Sequence, residues 1–358
     1  MTASLYIRPV GRLTPPPASA GQREREAGFA VAARDDLRFV AAELIEREGE
    51  TVRRRLLTAA DLAESPGDEE LAALLQRVRQ PRAPIAGVTL NRPRIMGVVN
   101  VTPDSFSDGG RWLEPEAGIA HALRLEAEGA DILDIGGEST RPGAEPVNAE
   151  EELKRVLPVI EALARRARVP VSIDTRNAEV MRRAAQVGAR LINDISALAH
   201  DPNSLAAAAE TGLPVVLMHA QGEPRTMQHK PRYADVVLDV YDALEARIEA
   251  CERVGIARER LIVDPGIGFG KTLAHNLALL GSLTIFHGLG CPLTLGASRK
   301  SFIGKLTGAG ADERLPGSLA AALLGAAQGA QILRVHDVAA TRQAMAVWEG
   351  AVTFAHGF

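Results

Sequence analysis

From Arg94 to the C-terminus, short apolar segments alternate with longer amphipathic segments, and this alternation restricts the fold more than any other feature. Each apolar segment has the length of a buried strand, and each amphipathic segment is rich in Ala, Leu, Glu and Arg, as expected of a helix. Strands separated by helices pair in parallel. The predicted strands are Ile95–Val99, Asp131–Ile135, Val171–Ile173, Arg190–Ile192, Pro214–Met218, Leu261–Val263, Leu293–Leu295 and Gln331–Val335.

Eight such units favour an α/β fold of the closed (βα)8 TIM barrel type over an open doubly wound sheet. Three segments share a Gly-Ala lead-in, in GADILDI, GARLIND and GAQILRV, where the glycine fits a helix C-cap that feeds the next strand. We predict one barrel domain over residues 88–358 and a small N-terminal appendage of unknown role over residues 1–87. Within the appendage, Phe39–Arg47 and Thr51–Leu62 fit either a hairpin or a helix pair, and Asp68–Gln80 is a predicted helix.

Charge and cysteine content narrow the range of partners and locations. The 358 residues carry a formal net charge of −4, which argues against nucleic acid or an anionic membrane as a partner. The chain shows neither an apolar run long enough for a membrane span nor a secretory signal pattern, so the expected location is the cytoplasm. Cys251 and Cys291 match no metal or disulfide spacing and are expected to be buried thiols.

Polar residues follow every predicted strand. In a TIM barrel the carboxyl ends of the strands gather at one face, and that face holds the active site. Asp174, Asn193 and Asp264 would place two carboxylates and an amide there, a set that suits the aminopyrimidinone edge of a pterin or a guanine. Taken singly, each aspartate fits a loop cap equally well.

A cluster of positive residues follows the seventh and eighth strands. It consists of Lys300, Arg334 and His336, at the corner of a TIM barrel where phosphate frequently binds. Solvated surface charges are the alternative interpretation. In the first loop, Asn100 and Asp104 offer hard oxygen donors suited to Mg²⁺, which prefers few protein ligands together with phosphate oxygens and water.

One motif imitates a nucleotide-binding loop. DPGIGFGKT resembles the phosphate-binding GxxxxGK[ST] loop, but Pro265 stands where that loop needs its first glycine. His219 and His229 show no zinc spacing and are predicted to be loop or core residues. Neither a P-loop nor a zinc site is therefore expected.

A series of motifs over roughly residues 88–358 resembles the dihydropteroate synthases of folate biosynthesis. The resemblance implies a transferase that condenses p-aminobenzoate with 6-hydroxymethyl-7,8-dihydropterin diphosphate, giving 7,8-dihydropteroate and diphosphate, with Mg²⁺ as the cofactor. It also suggests a homodimer, and the apolar Ala/Leu faces of the last helices agree with this. The motifs, in chain order, are IMGVVNVTPDSFSDGG, DILDIGGESTRPGA, VSIDT, LIND, LMHAQGEPRTMQ, DPGIGFGKT, SRKSFIG and RVHDV.

The resemblance assigns a role to each candidate site residue. For the pterin it implies Asp174, Asn193, Asp264 and Lys300, and Met218 and Phe269 are further predicted substrate-binding residues. For the diphosphate it implies Thr140, Arg334 and His336, and for Mg²⁺ it implies Asn100. The predicted catalytic residues are Asn100, Asp104, Arg141 and Lys300, and the candidates for the p-aminobenzoate pocket are Phe106, Pro142 and Ser301.

Two other functions stay open at this point. A pterin-dependent methyltransferase on a similar barrel would share the pterin-holding Asp and Asn residues but would have no use for the Lys300, Arg334 and His336 cluster. A pterin-binding protein without catalysis, acting through its N-terminal region, would bind its ligand without releasing diphosphate.

Overall fold

The computed structural model describes residues 4–13, 29–32, 34–63, 69–101, 114–138, 147–222 and 226–354. Its first part is a small unit that precedes the barrel. The elements of this unit are β1 (Ser4–Leu13), β2 (Phe29–Val31), β3 (Arg34–Glu48), β4 (Thr51–Thr58), α1 (Ala59–Ala63) and α2 (Glu69–Arg79).

The N-terminal strands form one antiparallel sheet around β3. Strand β1 pairs with one edge of β3, and β2 and β4 pair with successive stretches of its other edge. The β3–β4 hairpin decides between the two structures that the sequence left open for this region. The predicted helix is confirmed as α2, which buries Leu71, Leu74 and Val78 at helical spacing against the sheet.

The second part of the chain is a closed barrel of eight parallel strands, as predicted. The two ends of the strand order meet through a single bridge between Val263 and Leu293, supported by the Val263 amide donating to the Pro292 carbonyl at 2.9 Å. The strands are β5 (Arg94–Asn100), β6 (Ile132–Gly136), β7 (Val171–Asp174), β8 (Leu191–Asp194), β9 (Val215–Met218), β10 (Leu261–Asp264), β11 (Thr294–Leu295) and β12 (Ile332–Val335).

Helices cover the outside of the barrel. The Gly-Ala lead-ins work as predicted: Gly129, Gly188 and Gly329 have φ values of +101°, +118° and +91°, which glycine adopts without strain. The helices are α3 (Glu114–Ala127), α4 (Ala149–Arg166), α5 (Ala178–Val187), α6 (Ser204–Thr211), α7 (Val236–Arg253), α8 (Leu273–Leu280), α9 (Ser301–Thr307), α10 (Leu315–Ala327) and α11 (Val338–Phe354), with 3₁₀ turns at Arg258–Arg260, Leu283–Leu289 and Ala311–Glu313.

The N-terminal unit packs directly on the barrel. Tyr6 of β1 is 1% exposed and meets Tyr241 of α7 edge to face, with ring centroids 5.2 Å apart. The Thr284 hydroxyl, in the 3₁₀ turn before β11, donates to the Pro9 carbonyl at 2.9 Å. None of the helices in the described ranges is both long and apolar enough to span a membrane.

Candidate active site

Strand alternation explains why polar residues collect inside the barrel. Successive side chains of a strand point to opposite faces, so residues two apart share a face. One apolar layer fills the lower interior and consists of Met96, Ile132, Leu191, Val216, Ile262 and Ile332. Two residues further along the last five of these strands come Asp134, Asn193, Met218, Asp264 and Arg334. The upper interior layer is therefore mostly polar and opens at the carboxyl ends of the strands.

A hydrogen-bonded group of four residues occupies this upper layer. Asp134 is fully buried, and its Oδ2 accepts from Asn193 Nδ2 at 2.9 Å and from Arg334 Nε at 2.7 Å. Arg334 Nη2 donates to Asp174 Oδ2 at 2.6 Å. One guanidinium thus joins carboxylates from two strands, and Arg334 is a largely buried ion-pair partner, not a solvated surface charge.

Burial and charge shift the ionisation of this group in opposite directions. Burial raises the pKa of Asp174 to about 7, although Arg334 acts to lower it. Burial acts to lower the pKa of Arg334, but the carboxylates of Asp134 and Asp174 outweigh it and raise that pKa. The arginine therefore keeps its charge, while the pKa of Asp174 lies above the usual range of an aspartate.

Asp264 and Lys300 lie next to this group, around the space left by Gly296. A Cβ placed on Gly296 would lie 3.5 Å from Asp264 Oδ2, 3.7 Å from Lys300 Nζ and 3.9 Å from Arg334 Cβ. Lys300 Nζ donates to the Ile267 carbonyl and sits 4.6 Å from the centre of the Phe269 ring, a cation–π distance. Burial lowers the pKa of Lys300 to about 8.

The loop after β10 is held by an interior lysine. Lys271 is 2% exposed, and its Nζ lies 2.9 Å from His219 Nδ1 and 2.9 Å from the Phe269 carbonyl. Burial lowers the pKa of Lys271 to about 7. Lys271 therefore ties the loop after β10 to His219, directly after β9.

The rim beside the last strand carries His336 and Asn100. His336 Nδ1 lies 3.1 Å from Ser298 Oγ, and burial lowers the pKa of the imidazole to about 4, so His336 is neutral at pH 7. Asn100, His336 and Arg299 line a cavity of about 550 Å³. A Cβ on Gly136 would lie 3.8 Å from Asn100 Oδ1 and 3.7 Å from Asp174 Oδ2, so the rim is continuous with the polar interior.

The donor set at the rim fits a weakly coordinated hard cation. Within the described ranges there is no group of three or more His, Cys, Asp or Glu side chains able to hold a metal. Asn100 lines the cavity that His336 also lines. Mg²⁺ usually keeps several waters and takes one or two protein oxygens together with substrate phosphate, and Asn100 meets that requirement.

The remaining predicted residues divide into two sets. Met218 is 5% exposed in the interior layer, and Ser301 is exposed at the first position of α9, directly after Lys300. Asp104, Phe106, Thr140, Arg141 and Pro142 lie outside the described residues.

Sequence reasoning missed two residues, Asp134 and Lys271. A signal existed for Asp134, because a carboxylate in the middle of the apolar segment DILDI is out of place unless it has a buried partner. Lys271 belongs to DPGIGFGKT, and once that motif is not a P-loop, nothing in the sequence marks this lysine as buried. Its burial depends on contacts with the loop after β9, which no local pattern announces.

The barrel matches a known protein family. Residues 96–336 match the family model described as pterin binding enzyme, a span that begins in β5 and ends just after β12. The barrel and its polar interior are therefore those of a pterin-binding enzyme.

Relatives narrow the class further. Dihydropteroate synthase of Escherichia coli K12 is 53% identical over 264 residues, covering 74% of this chain and 93% of the relative. The solved Xanthomonas albilineans dihydropteroate synthase with 4-aminobenzoic acid is 54% identical, with a TM-score of 0.70, and covers 74% of this chain and 96% of that one. The same enzyme with 7,8-dihydropteroate gives 51% identity, a TM-score of 0.68, and coverage of 74% and 95%. The chain belongs to the dihydropteroate synthase family.

Proposed function

We propose that this chain condenses p-aminobenzoate with 6-hydroxymethyl-7,8-dihydropterin diphosphate, forming 7,8-dihydropteroate and diphosphate in folate biosynthesis. One observation carries the proposal: the group formed by Asp134, Asp174, Asn193 and Arg334 lies beside Asp264 and Lys300 in the mouth of a barrel that matches the family. The related enzyme has been solved with 4-aminobenzoic acid and with 7,8-dihydropteroate, one substrate and the product of this reaction.

The polar interior supplies complementary groups for a pterin. A pterin presents several N–H donors and ring acceptors along one edge. Asn193 Nδ2 donates to Asp134, so Asn193 Oδ1 is left to accept a hydrogen bond from the ligand. Asp264 Oδ2 lies at the gap beside Gly296. Lys300, next to Asp264, is the donor for the acceptor positions. Met218 and Phe269 complete the proposed pterin site with apolar surface.

The rim supplies charge for the diphosphate. Among the described residues, Arg334 Nη1 makes no hydrogen bond, so it can donate to a ligand while Nε and Nη2 hold the carboxylates. His336 and Thr140 are the other proposed diphosphate contacts. Mg²⁺ held by Asn100 would neutralise part of the charge that develops on the departing diphosphate.

The reaction breaks the C–O bond between the pterin methylene and the diphosphate and forms a C–N bond to the arylamine. The arylamine is neutral at pH 7 and nucleophilic, so it needs correct placement more than a strong base. We place it against Phe106, Pro142 and Ser301, with Asp104 and Arg141 from the same two loops and Asn100 and Lys300 from the barrel as catalytic residues.

We also propose that the chain forms a homodimer and is located in the cytoplasm. Leu277, Leu306, Leu324 and Val347 are exposed large apolar side chains on α8, α9, α10 and α11. Such residues on neighbouring helices support a homodimer through the last helices, which sedimentation of the purified chain would test. Both cysteines are buried and free, as expected of a cytoplasmic protein.

One assay tests the function. Purified protein is supplied with both substrates and Mg²⁺, and diphosphate release is measured with each component omitted in turn. We expect release to require both substrates and to fall on chelation of Mg²⁺. Release that ignores p-aminobenzoate would indicate a hydrolase, and pterin binding without release would indicate a non-catalytic binding protein.

A further inference from the structure

We infer that the N-terminal sheet positions the substrate-binding loop after β10 by holding the first turn of α7. This inference rests on the proposed function, because the loop begins directly after Asp264 and carries Phe269, both of the proposed pterin site. It gives a role to residues that precede the span matched by the family model, which begins at residue 96.

The sheet contacts α7 through two arginines and a tyrosine. Arg47 of β3 donates to Asp239 at 2.7 Å and also pairs with Asp242. Arg54 of β4 pairs with Asp235 at 2.9 Å. The Tyr6 hydroxyl donates to Asp242 at 2.8 Å. The sheet therefore contacts carboxylates at the N-terminal end of α7.

Two of these carboxylates also determine where α7 begins. Asp235 is the N-cap, and its Oδ1 accepts from the amides of Val237 and Leu238 at 3.0 and 3.2 Å. Asp239 Oδ2 accepts from the Ala234 amide at 2.8 Å. Orphan amides at a helix start need such acceptors, so these contacts fix the backbone just before the helix.

Tyr233, next to that backbone, contacts the substrate-binding loop through its side chain. The Tyr233 hydroxyl donates to the Gly270 carbonyl at 2.8 Å, and Gly270 lies between Phe269 and Lys271. Gly270 has a φ of +62°, and a Cβ there would lie 2.4 Å from the Gln221 carbonyl oxygen. The loop is thus packed tightly where Tyr233 holds it, and a displacement of Tyr233 reaches Phe269 directly.

The relatives suggest that this support is an addition to the family barrel. In the E. coli enzyme, 264 aligned residues account for 93% of its length, and they leave about a quarter of this chain unmatched. We expect a graded effect, because ion pairs that are only partly buried contribute little individually, and the Arg47 and Asp239 side chains are 20% and 27% exposed. The effect should appear as altered affinity for the pterin substrate and leave the fold intact.

The first test uses the full chain with Arg47→Met. We expect the KM for the pterin diphosphate to rise by about 3- to 10-fold, the size of a modest coupling between sites, with a smaller change in kcat. Titration calorimetry of the pterin diphosphate, without p-aminobenzoate, should show the same loss of affinity. Arg47→Lys keeps the charge but makes fewer hydrogen bonds, so its KM should lie between those of the wild type and Arg47→Met.

The matched control is Arg55→Met. Arg55 is an exposed arginine of the same sheet that makes no hydrogen bond to α7 in the described part of the chain. The change removes the same charge and a similar side chain, so KM should stay at the wild-type value. Equal effects of Arg47→Met and Arg55→Met on KM would overturn the inference.

A double-mutant cycle with Tyr233→Phe tests the route. If the sheet acts through Tyr233, Arg47→Met should add little to the loss that Tyr233→Phe causes alone. Full additivity of the two changes would overturn the route. The wild-type assay separates this inference from the proposed function: product formation by wild type combined with an unchanged KM in Arg47→Met defeats the inference alone.

Discussion

At the scale of single residues, the site depends on Asp134, a fully buried carboxylate inside the barrel. Its Oδ2 accepts from Asn193 and Arg334, and through Arg334 it is joined to Asp174. A charge is tolerated inside the barrel because its partners are buried with it and hydrogen-bonded to it. Asp134 therefore sets the orientation of two side chains proposed to bind substrate.

Asp134→Asn should lower both stability and activity. The change weakens the acceptor for Arg334 and puts an amide donor beside Asn193 and Arg334, so we expect the free energy of unfolding to fall by about 2–3 kcal/mol. Urea unfolding measures this, and kcat/KM should fall in parallel. Glu161→Gln, which removes an exposed pair with Arg165, is the control and should cost under about 0.5 kcal/mol. Equal costs would contradict a structural role for the buried group.

Lys300 should set the alkaline limit of activity. Burial lowers its pKa to about 8, so the ammonium loses its proton above that pH and its interaction with a pterin acceptor weakens. We expect kcat/KM for the pterin diphosphate, which reports the free enzyme, to fall as pH rises through 8. In Lys300→Arg the fall should disappear from this range because arginine stays charged. The control is Lys305→Arg, on the exposed side of α9, which should show the same fall in kcat/KM above pH 8 as the wild type. If Lys300→Arg also keeps that fall, Lys300 is not the group that causes it.

At the scale of elements, the loop after β10 owes its position to glycine. Gly266 has a φ of +68°, and a Cβ there would lie 1.9 Å from the His219 carbonyl oxygen. Its amide donates to Asp264 Oδ1 at 2.7 Å, so the turn also orients the proposed pterin ligand. The close approach of two loop backbones leaves no room for a side chain.

Gly266→Ala should displace the loop. We expect a loss of roughly 3 kcal/mol or more in unfolding free energy and at least a tenfold loss in kcat/KM, because the backbone itself must move. Gly308→Ala is the matched control: its φ is +81°, but a Cβ there meets nothing within 4 Å. That variant carries the conformational strain alone, about 1 kcal/mol, and should retain activity. If both variants behave alike, the close contact with His219 is irrelevant.

The sequence predicted the barrel elements well and the N-terminal sheet poorly, for physical reasons. The barrel strands are short apolar segments bounded by glycine caps and polar ends, a local pattern. Strand β3 is different because apolar residues such as Leu44 and Ile45 pack on opposite sides, one on the N-terminal core and one on the barrel. A strand buried on both faces loses its alternation, so a hairpin and a helix pair fitted equally well.

The part of the site that lies at the carboxyl ends of the strands could be predicted from the sequence. Asp174, Asn193, Asp264, Lys300 and Arg334 come together because parallel strands bring their carboxyl ends to one face. The network that orients them was not predictable, since it joins residues from strands 59 to 200 positions apart in sequence. Only the folded barrel specifies those pairs.

At the scale of the whole molecule, the N-terminal unit and the barrel share one core. Tyr6 and Ile45 are buried together with barrel residues, and Tyr6 joins a line of rings through Tyr241 to Phe286. A surface of this kind is expected to couple the unfolding of the two parts.

Tyr6→Ala should destabilise the whole chain. Removing the ring leaves a cavity against Tyr241, and we expect a loss of about 3 kcal/mol in unfolding free energy. Tyr6→Phe keeps the ring and removes only the hydrogen bond to Asp242, so its loss should be about 1 kcal/mol. Thermal unfolding of both variants measures the difference. A separate early transition in Tyr6→Ala, with the barrel unchanged, would show that the two parts unfold independently.

The barrel closes through a single bridge between β10 and β11, and β11 is two residues long. Asp264 at the end of β10 and Lys300 after β11 stand on opposite sides of this seam. A pterin bound by both residues would link β10 to the loop after β11, where the strands of the barrel are joined by the fewest hydrogen bonds. The hydrogen bond from the Val263 amide across this seam should then open less often once the ligand is bound, so that hydrogen exchange at Val263 is slower than in the free protein.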